Sequence, residues 1–209
     1  MRAFLSGFAV AAALALPVTA EDLPPPMAGS YQIDMQHTSL IFRVSHLGFS
    51  NYTALFTEVA AELAFDPEKP EAMQVTARIP VASLETHNPD KALNFNATVT
   101  GPEFLDAAQF PEITFSSTAV VLTGERRADV TGDLTLHGVT RPVTLDVSYN
   151  GGWGDMALDA GARIGFSAKG SFNRSEFGLG YGIPAPGTTM GVSDRVEVIL
   201  EAEFIKPRP

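Results

Sequence analysis

Apolar side chains recur at every second position through most of this chain. Met73, Val75, Ala77 and Ile79 form one such set, and Ile113, Phe115, Ser117, Ala119 and Val121 another. Val130, Gly132, Leu134 and Leu136 repeat the pattern, as do Val143, Leu145, Val147 and Tyr149. Ile164, Phe166, Ala168, Gly170 and Phe172 follow, and then Val196, Val198, Leu200, Ala202 and Phe204. A period of two sends each set to one face of a strand and leaves Thr, Ser, Glu, Arg and Asp on the other. With Leu40 to Val44 and Leu55 to Phe65, the pattern predicts about eight strands in an antiparallel all-β domain.

The joints are those such a domain needs. Asp66-Pro67-Glu68-Lys69-Pro70 and Thr123-Gly124-Glu125-Arg126 read as turns. His137-Gly138-Val139-Thr140-Arg141-Pro142 reads as another, with His137 ordering it through Thr140, and Asn150-Gly151-Gly152 as the end of a strand. Two stretches break the alternation. In the crossover near residues 85–111, Asn88-Pro89 reads as a helix cap leading into Asp90–Asn96, and Gly101–Ala108 as a second short helix. The other is the Gly- and Pro-rich connection Ser175–Ser193. Small residues (Ala77, Ala119, Gly132, Ala168, Gly170) among the inward Phe and Leu suggest interior space. Closure removes exposed sheet edges, so a barrel is favoured over a sandwich.

Met1-Arg2, the apolar run Ala3–Leu16, and Val18-Thr19-Ala20 after Pro17 have the form of a secretory signal cleaved after Ala20. The run is too short to cross a bilayer as a helix. The division expected is therefore a signal over 1–20, a flexible Pro-rich lead-in over 21–29, and a barrel domain over 30–207.

Composition narrows the function. The 24 acidic residues outweigh the 14 basic ones, for a net charge of −10. Loss of Arg2 with the leader would make the balance one unit more negative. That argues against nucleic acid as a partner and against stable insertion into, or a polybasic grip on, a membrane. There is no cysteine, so thiol catalysis and thiolate metal ligation are excluded. His37, His46, His87 and His137 lack metal-site spacing, and neither a Gly-x-Ser-x-Gly elbow nor a phosphate loop is present. Asp133 and His137 share a strand face, but the outward one. No catalytic residue, metal or cofactor is expected.

Four ordered motifs carry a resemblance. They are Tyr31-Gln32-Ile33-Asp34 with His37-Thr38, Phe42, Val44, His46 and Gly48; Phe104–Ser117; Val130–Val143; and Phe172-Asn173-Arg174-Ser175-Glu176-Phe177-Gly178. Together they span residues 31 to about 205 and resemble the YceI-like family. The resemblance implies an extended eight-stranded antiparallel, lipocalin-like barrel in the bacterial periplasm, often a homodimer. Its channel would bind a long isoprenoid lipid or an isoprenoid quinone-like amphiphile, and the family is linked to isoprenoid handling or stress responses. Three departures stand out: Ala54 where Gly is common, and, in the crossover that could border the mouth, Ala92 where His precedes Leu and a longer segment over 94–102.

Phe42, Val44, Phe56, Ile79, Phe115, Leu134, Phe166 and Phe172 are the candidate channel residues. His46, Asn173 and Arg174 are candidates for a head group. A guanidinium at 174 could meet a phosphate or quinone oxygen, but an ion pair with Glu176 or Asp194 that pins the 175–193 connection is the reading favoured. Arg43 alternates with Phe42 and Val44 and should point outward. Besides a carrier or store of the lipid, an enzyme acting on prenyl lipids and a solid-cored interaction protein remain open.

Overall fold

A computed structural model describes residues 23–207, apart from Lys91 and residues 157–160. The expected signal over 1–20 lies outside the described residues. Eleven strand segments form one antiparallel sheet: β1 (Gly29–Ile33), β2 (Ser39–His46), β3 (Ser50–Phe56), β4 (Ala60–Phe65), β5 (Gln74–Pro80), β6 (Leu84–Glu85), β7 (Glu112–Gly124), β8 (Arg127–Leu136), β9 (Val139–Trp153), β10 (Gly161–Asn173) and β11 (Val192–Pro207). Their pairings resolve into eight long strands in up-and-down order, because the first three are each broken once.

Each break is held in place. The turn Met35–His37 separates β1 from β2 and is capped by Asp34, whose carboxylate accepts from Gln36 N at 3.0 Å. Thr57–Val59 separates β3 from β4, and Val81–Ser83 separates β5 from β6. These two breaks are latched together, since Thr57 donates to Ser83 O through both its backbone N (2.9 Å) and its hydroxyl (3.0 Å).

β11 closes the ring. One edge pairs with β10 from Gly161↔Pro207 to Asn173↔Arg195. The other edge carries β2 from Val196↔Val44 to Glu201↔Ser39 and then β1 at Gln32↔Ile205 and Ile33↔Phe204. The result is the eight-stranded antiparallel barrel that the alternation predicts. At its upper end lie the β2–β3 turn, the 86–111 crossover, the β8–β9 turn and the 174–191 connection. His137 (φ +51) and Gly138 (φ +74) make a two-residue hairpin between β8 and β9, with both residues in the left-handed region that matches strand twist. At the lower end, the lead-in meets the barrel: Pro24 O accepts from Gly154 N at 2.6 Å, and Met27 O from the Tyr31 hydroxyl at 2.8 Å.

The β8–β9 turn closes in two residues rather than over His137–Pro142, since Val139–Pro142 already belong to β9, and Thr140 pairs with Thr135 at 2.8 Å rather than with His137. The structure corrects the expectations in four further places. The crossover helix is α1 (Phe95–Val99), capped by Asn94, whose side chain accepts from Ala97 N at 3.1 Å. Asn88 accepts instead from Asp90 N, and Asp90 from Ala92 N, each at 2.9 Å, so both side chains make turns rather than start a helix. Gly101–Ala108 is a series of turns, broken at Asp106 by a left-handed backbone (φ +44). β9 continues past Asn150-Gly151-Gly152 to Trp153 because its register with β10 shifts there instead of ending.

The fourth correction concerns β7. Its register against β8 jumps between Ser117 and Ala119. The extra residue, Thr118, reverses the alternation, so Val120 faces inward and Ala119 and Val121 face solvent.

Candidate functional site

The interior is not filled. An apolar cavity of about 640 Å³ runs inside the barrel, walled by inward residues of all eight long strands. All eight candidate channel residues (Phe42, Val44, Phe56, Ile79, Phe115, Leu134, Phe166 and Phe172) line it. The inward glycines do not supply the room: the Phe115 ring covers Gly132, and Leu145 covers Gly170. Space comes from the alanines on the wall, among them Ala54, Ala61, Ala77, Ala168 and Ala202. On the β1, β4, β9 and β10 side the barrel is closed by rings instead. Tyr31 meets Phe65 at 5.5 Å, Phe65 meets Tyr149 at 6.2 Å, and Tyr149 meets Phe166 at 5.4 Å. Burial raises the Tyr31 and Tyr149 hydroxyls above their ordinary pKa.

Polar groups are few, and all but Gln74 and Ser117 lie toward the upper rim. His46, Ser50, Asn88 and Glu103 line the cavity there, with Thr86 beside them. Thr86 is already engaged: its N and hydroxyl both donate to Asn96 Oδ1 (2.9 and 2.5 Å), and its carbonyl accepts from the Tyr52 hydroxyl at 3.1 Å. Ser117, further down, accepts from Val75 N at 2.9 Å. The wall therefore offers a long apolar surface with hydrogen-bonding capacity at one end, the arrangement that holds an amphiphile by its tail.

The three head-group candidates fare differently. His46 ends β2, exposed and on the rim. Asn173 follows inward Phe172 and so faces out. Its amide donates to Glu176 at 3.4 Å, in a polar hollow on the outer wall with Thr144, Ser171 and Arg195. Arg174 borders the cavity but is buried, with its guanidinium spread over four carbonyls. Nε donates to Ser193 O at 3.0 Å, one terminal nitrogen to Leu179 O (2.7 Å) and Tyr181 O (2.8 Å), and the other to Val192 O (2.9 Å). It does pin the 175–193 connection, but through backbone carbonyls rather than Glu176 or Asp194. Asp194 instead accepts from Ser175 N and hydroxyl at 2.8 and 2.7 Å. Burial lowers the Arg174 pKa from its ordinary value.

Four apolar groups at the rim escape the alternation reading because they lie in the crossover. Phe95 stacks edge-on to Tyr52 at 5.7 Å, and with Val99, Phe104 and Leu105 it joins the cavity wall. The signal available was their apolarity within an otherwise polar loop. Ala54 pairs with Phe42 in a regular stretch of β3 and is outside the left-handed region, so this departure carries no backbone strain.

Outside the barrel, Arg163 donates to Asp34 at 2.7 Å and Glu203 at 2.5 Å, and His37 Nδ1 lies 2.9 Å from Asp34. Asp34, His37 and Glu203 have the disposition of cation ligands, but the Arg163 guanidinium already compensates both carboxylates. The hydrogen bond from Arg163, then that from His37, brings the Asp34 pKa down to about 2.

Comparison with known proteins agrees with this architecture. Residues 31–204 match the model of the YceI-like domain. A UPF0312 protein of Pseudomonas savastanoi is 39% identical over 189 residues, covering 88% of this chain and 91% of its own length. One from Pseudomonas putida is 36% identical over 203 residues, covering 94% and 97%. Among solved structures, the Campylobacter jejuni YceI protein superposes with a TM-score of 0.64 at 26% identity, covering 78% of this chain and 90% of that one. Burkholderia cenocepacia BcnA gives 0.68 at 24% identity, covering 82% and 98%. A polyisoprenoid binding domain from Saccharophagus degradans gives 0.61 at 14% identity, covering 85% and 98%. With the family model matched over nearly the whole barrel and relatives this similar, the chain belongs to the YceI-like family.

Proposed function

We propose that the protein is a periplasmic carrier or store that holds a long isoprenoid lipid, or an isoprenoid quinone-like amphiphile, in the barrel. The observation that carries this reading is the apolar cavity of about 640 Å³ with most of its few polar lining groups at one rim. Each buried methylene contributes about 0.8 kcal/mol. A dozen or so contribute roughly 10 kcal/mol before the association cost, enough for useful affinity with no charged contact. The head group would sit by His46, Ser50, Asn88 and Glu103 rather than by Arg174, whose guanidinium already gives four hydrogen bonds to backbone carbonyls. The binding property of the Saccharophagus degradans domain, which shares the fold, supports the ligand class, and the N-terminal leader pattern supports the compartment. Such a wall measures chain length and bulk well and chemical detail poorly.

Native mass spectrometry of protein taken gently from its own periplasm, with fragmentation of the released lipid, tests the proposal and reads the oligomer at once. A stoichiometric added mass in a prenyl series is expected. Delipidated protein that fails to take up a prenylquinone in titration would overturn it.

A further inference from the structure

Four large apolar side chains stand in solvent on the loops of the upper rim. Phe49 is 85% exposed, Met190 75%, Tyr181 55% and Leu93 47%. They belong to three different loops that are tied to one another. Leu47 N donates to Gly191 O at 2.9 Å, and Gly48 lies against Thr189, which joins the β2–β3 turn to the 174–191 connection. The Tyr181 ring meets Phe104 of the crossover at 5.0 Å. The Arg174 fan of hydrogen bonds fixes the base of the same connection. The crown is therefore a built feature, set around the opening of an apolar cavity.

We propose that this crown docks the barrel, mouth first, onto the surface of a zwitterionic phospholipid bilayer. Two observations select a zwitterionic lipid surface. Aromatic side chains bury about 150–250 Å² each. On that scale the four partly exposed side chains present roughly 500 Å² of apolar surface, carried on three loops at one end of the barrel, which suits shallow insertion. The charge in these loops selects the lipid: Asp90, Glu103 and Glu176 outnumber Lys91, while Asp106 and Arg174 are both buried. Anionic lipid would be repelled, so attachment rests on apolar insertion alone. Among the described residues no helix is long and apolar enough to cross a membrane, and the attachment is shallow and reversible. The purpose of docking, transfer of a chain between bilayer and channel, rests on the function proposed above; the attachment does not.

The test is co-sedimentation of the protein with phosphatidylcholine vesicles, and with vesicles of the same lipid mixed with phosphatidylglycerol, over a range of salt. Wild type is expected to bind phosphatidylcholine, with no gain from the anionic lipid or from lower salt. The double variant Phe49→Ser/Met190→Ser should bind at least about tenfold more weakly. Both side chains are exposed, so their loss leaves the fold intact, which circular dichroism checks. Val121→Ser/Leu122→Ser removes two exposed apolar side chains (58% and 46%) at the opposite end and should stay within about twofold of wild type. Absence of vesicle binding, equal loss in both double variants, or binding that needs phosphatidylglycerol and strengthens as salt falls would overturn the proposal. So would a concentration-dependent dimer that Phe49→Ser/Met190→Ser abolishes. Prenylquinone titration in solution separates the two readings: vesicle binding without prenylquinone binding leaves docking standing and removes the carrier.

Discussion

Arg174 shows how a residue that looks like a ligand contact can be a structural clamp. Four carbonyls from three places on the 174–193 segment converge on one guanidinium, a geometry that the planar fork suits and an ammonium does not. Arg174→Met leaves these carbonyls without their donors and is expected to cost about 3–5 kcal/mol in urea unfolding. Arg174→Lys should recover only a minor part. A loss under 1 kcal/mol for Arg174→Met would mean that the connection is held by other contacts. Asp34 is the matching case on the outer wall. Its pKa, about 2 against an ordinary 3.8, makes the carboxylate stabilising at every pH above roughly 4, and that contribution disappears as pH falls from there through about 2. Asp34→Asn keeps the capping oxygen and removes the charge. Its expected cost at pH 7 is about 1–2 kcal/mol, reduced from the full shift because His37 and Glu203 are open to water. Unfolding free energies of the two proteins should converge near pH 2, and a gap that persists there would assign the effect to the cap instead.

The strands were legible in the amino-acid order because a half-buried wall imposes a period of two, and Met73–Ile79, Val130–Leu136 and Val196–Phe204 obey it without interruption. Where the backbone adds a residue, the pattern misleads. Val121 continues the apolar series on paper, yet the bulge at Thr118 turns it to solvent, and nothing in Ser117-Thr118-Ala119 announces the bulge. The same holds for the crossover, where two Asn residues compete as caps and tertiary contacts choose Asn94 over Asn88. The apolar lining of the cavity follows from the same alternation as the strands. The placement of Arg174 does not, because alternation ends at Asn173 and says nothing about where the chain turns next. The β8–β9 turn was readable in place but not in length, because strand pairing begins at Val139 instead of Pro142, and its glycine is testable. Gly138 holds φ +74, and a Cβ there would press on the Phe110 ring. Gly138→Ala should therefore cost about 1–2 kcal/mol. A neutral result in urea unfolding would show that the turn relaxes to another type.

For the molecule as a whole, the alanines on the cavity wall leave packing contacts unmade, and on the carrier proposal a bound chain would restore them. If the carrier reading holds, ligand at a hundredfold excess over its Kd should raise the unfolding free energy by about 2.7 kcal/mol, and delipidation should remove that increment. Ala168 is a suitable place to break the link, because it is 7% exposed, sits mid-strand on β10 and faces the cavity. Ala168→Phe puts a ring into space that the wild type leaves empty. Its own effect on the ligand-free protein should be small, within about 1–3 kcal/mol of either improved filling or overpacking. The decisive quantity is the difference between liganded and ligand-free stability, which should collapse toward zero in Ala168→Phe while wild type keeps it. If the variant retains the full increment, the chain binds elsewhere, and the rim rather than the interior becomes the place to look. If neither protein shows an increment with a prenylquinone but wild type shows one with a different apolar ligand that Ala168→Phe loses, the channel stands and the ligand class must change.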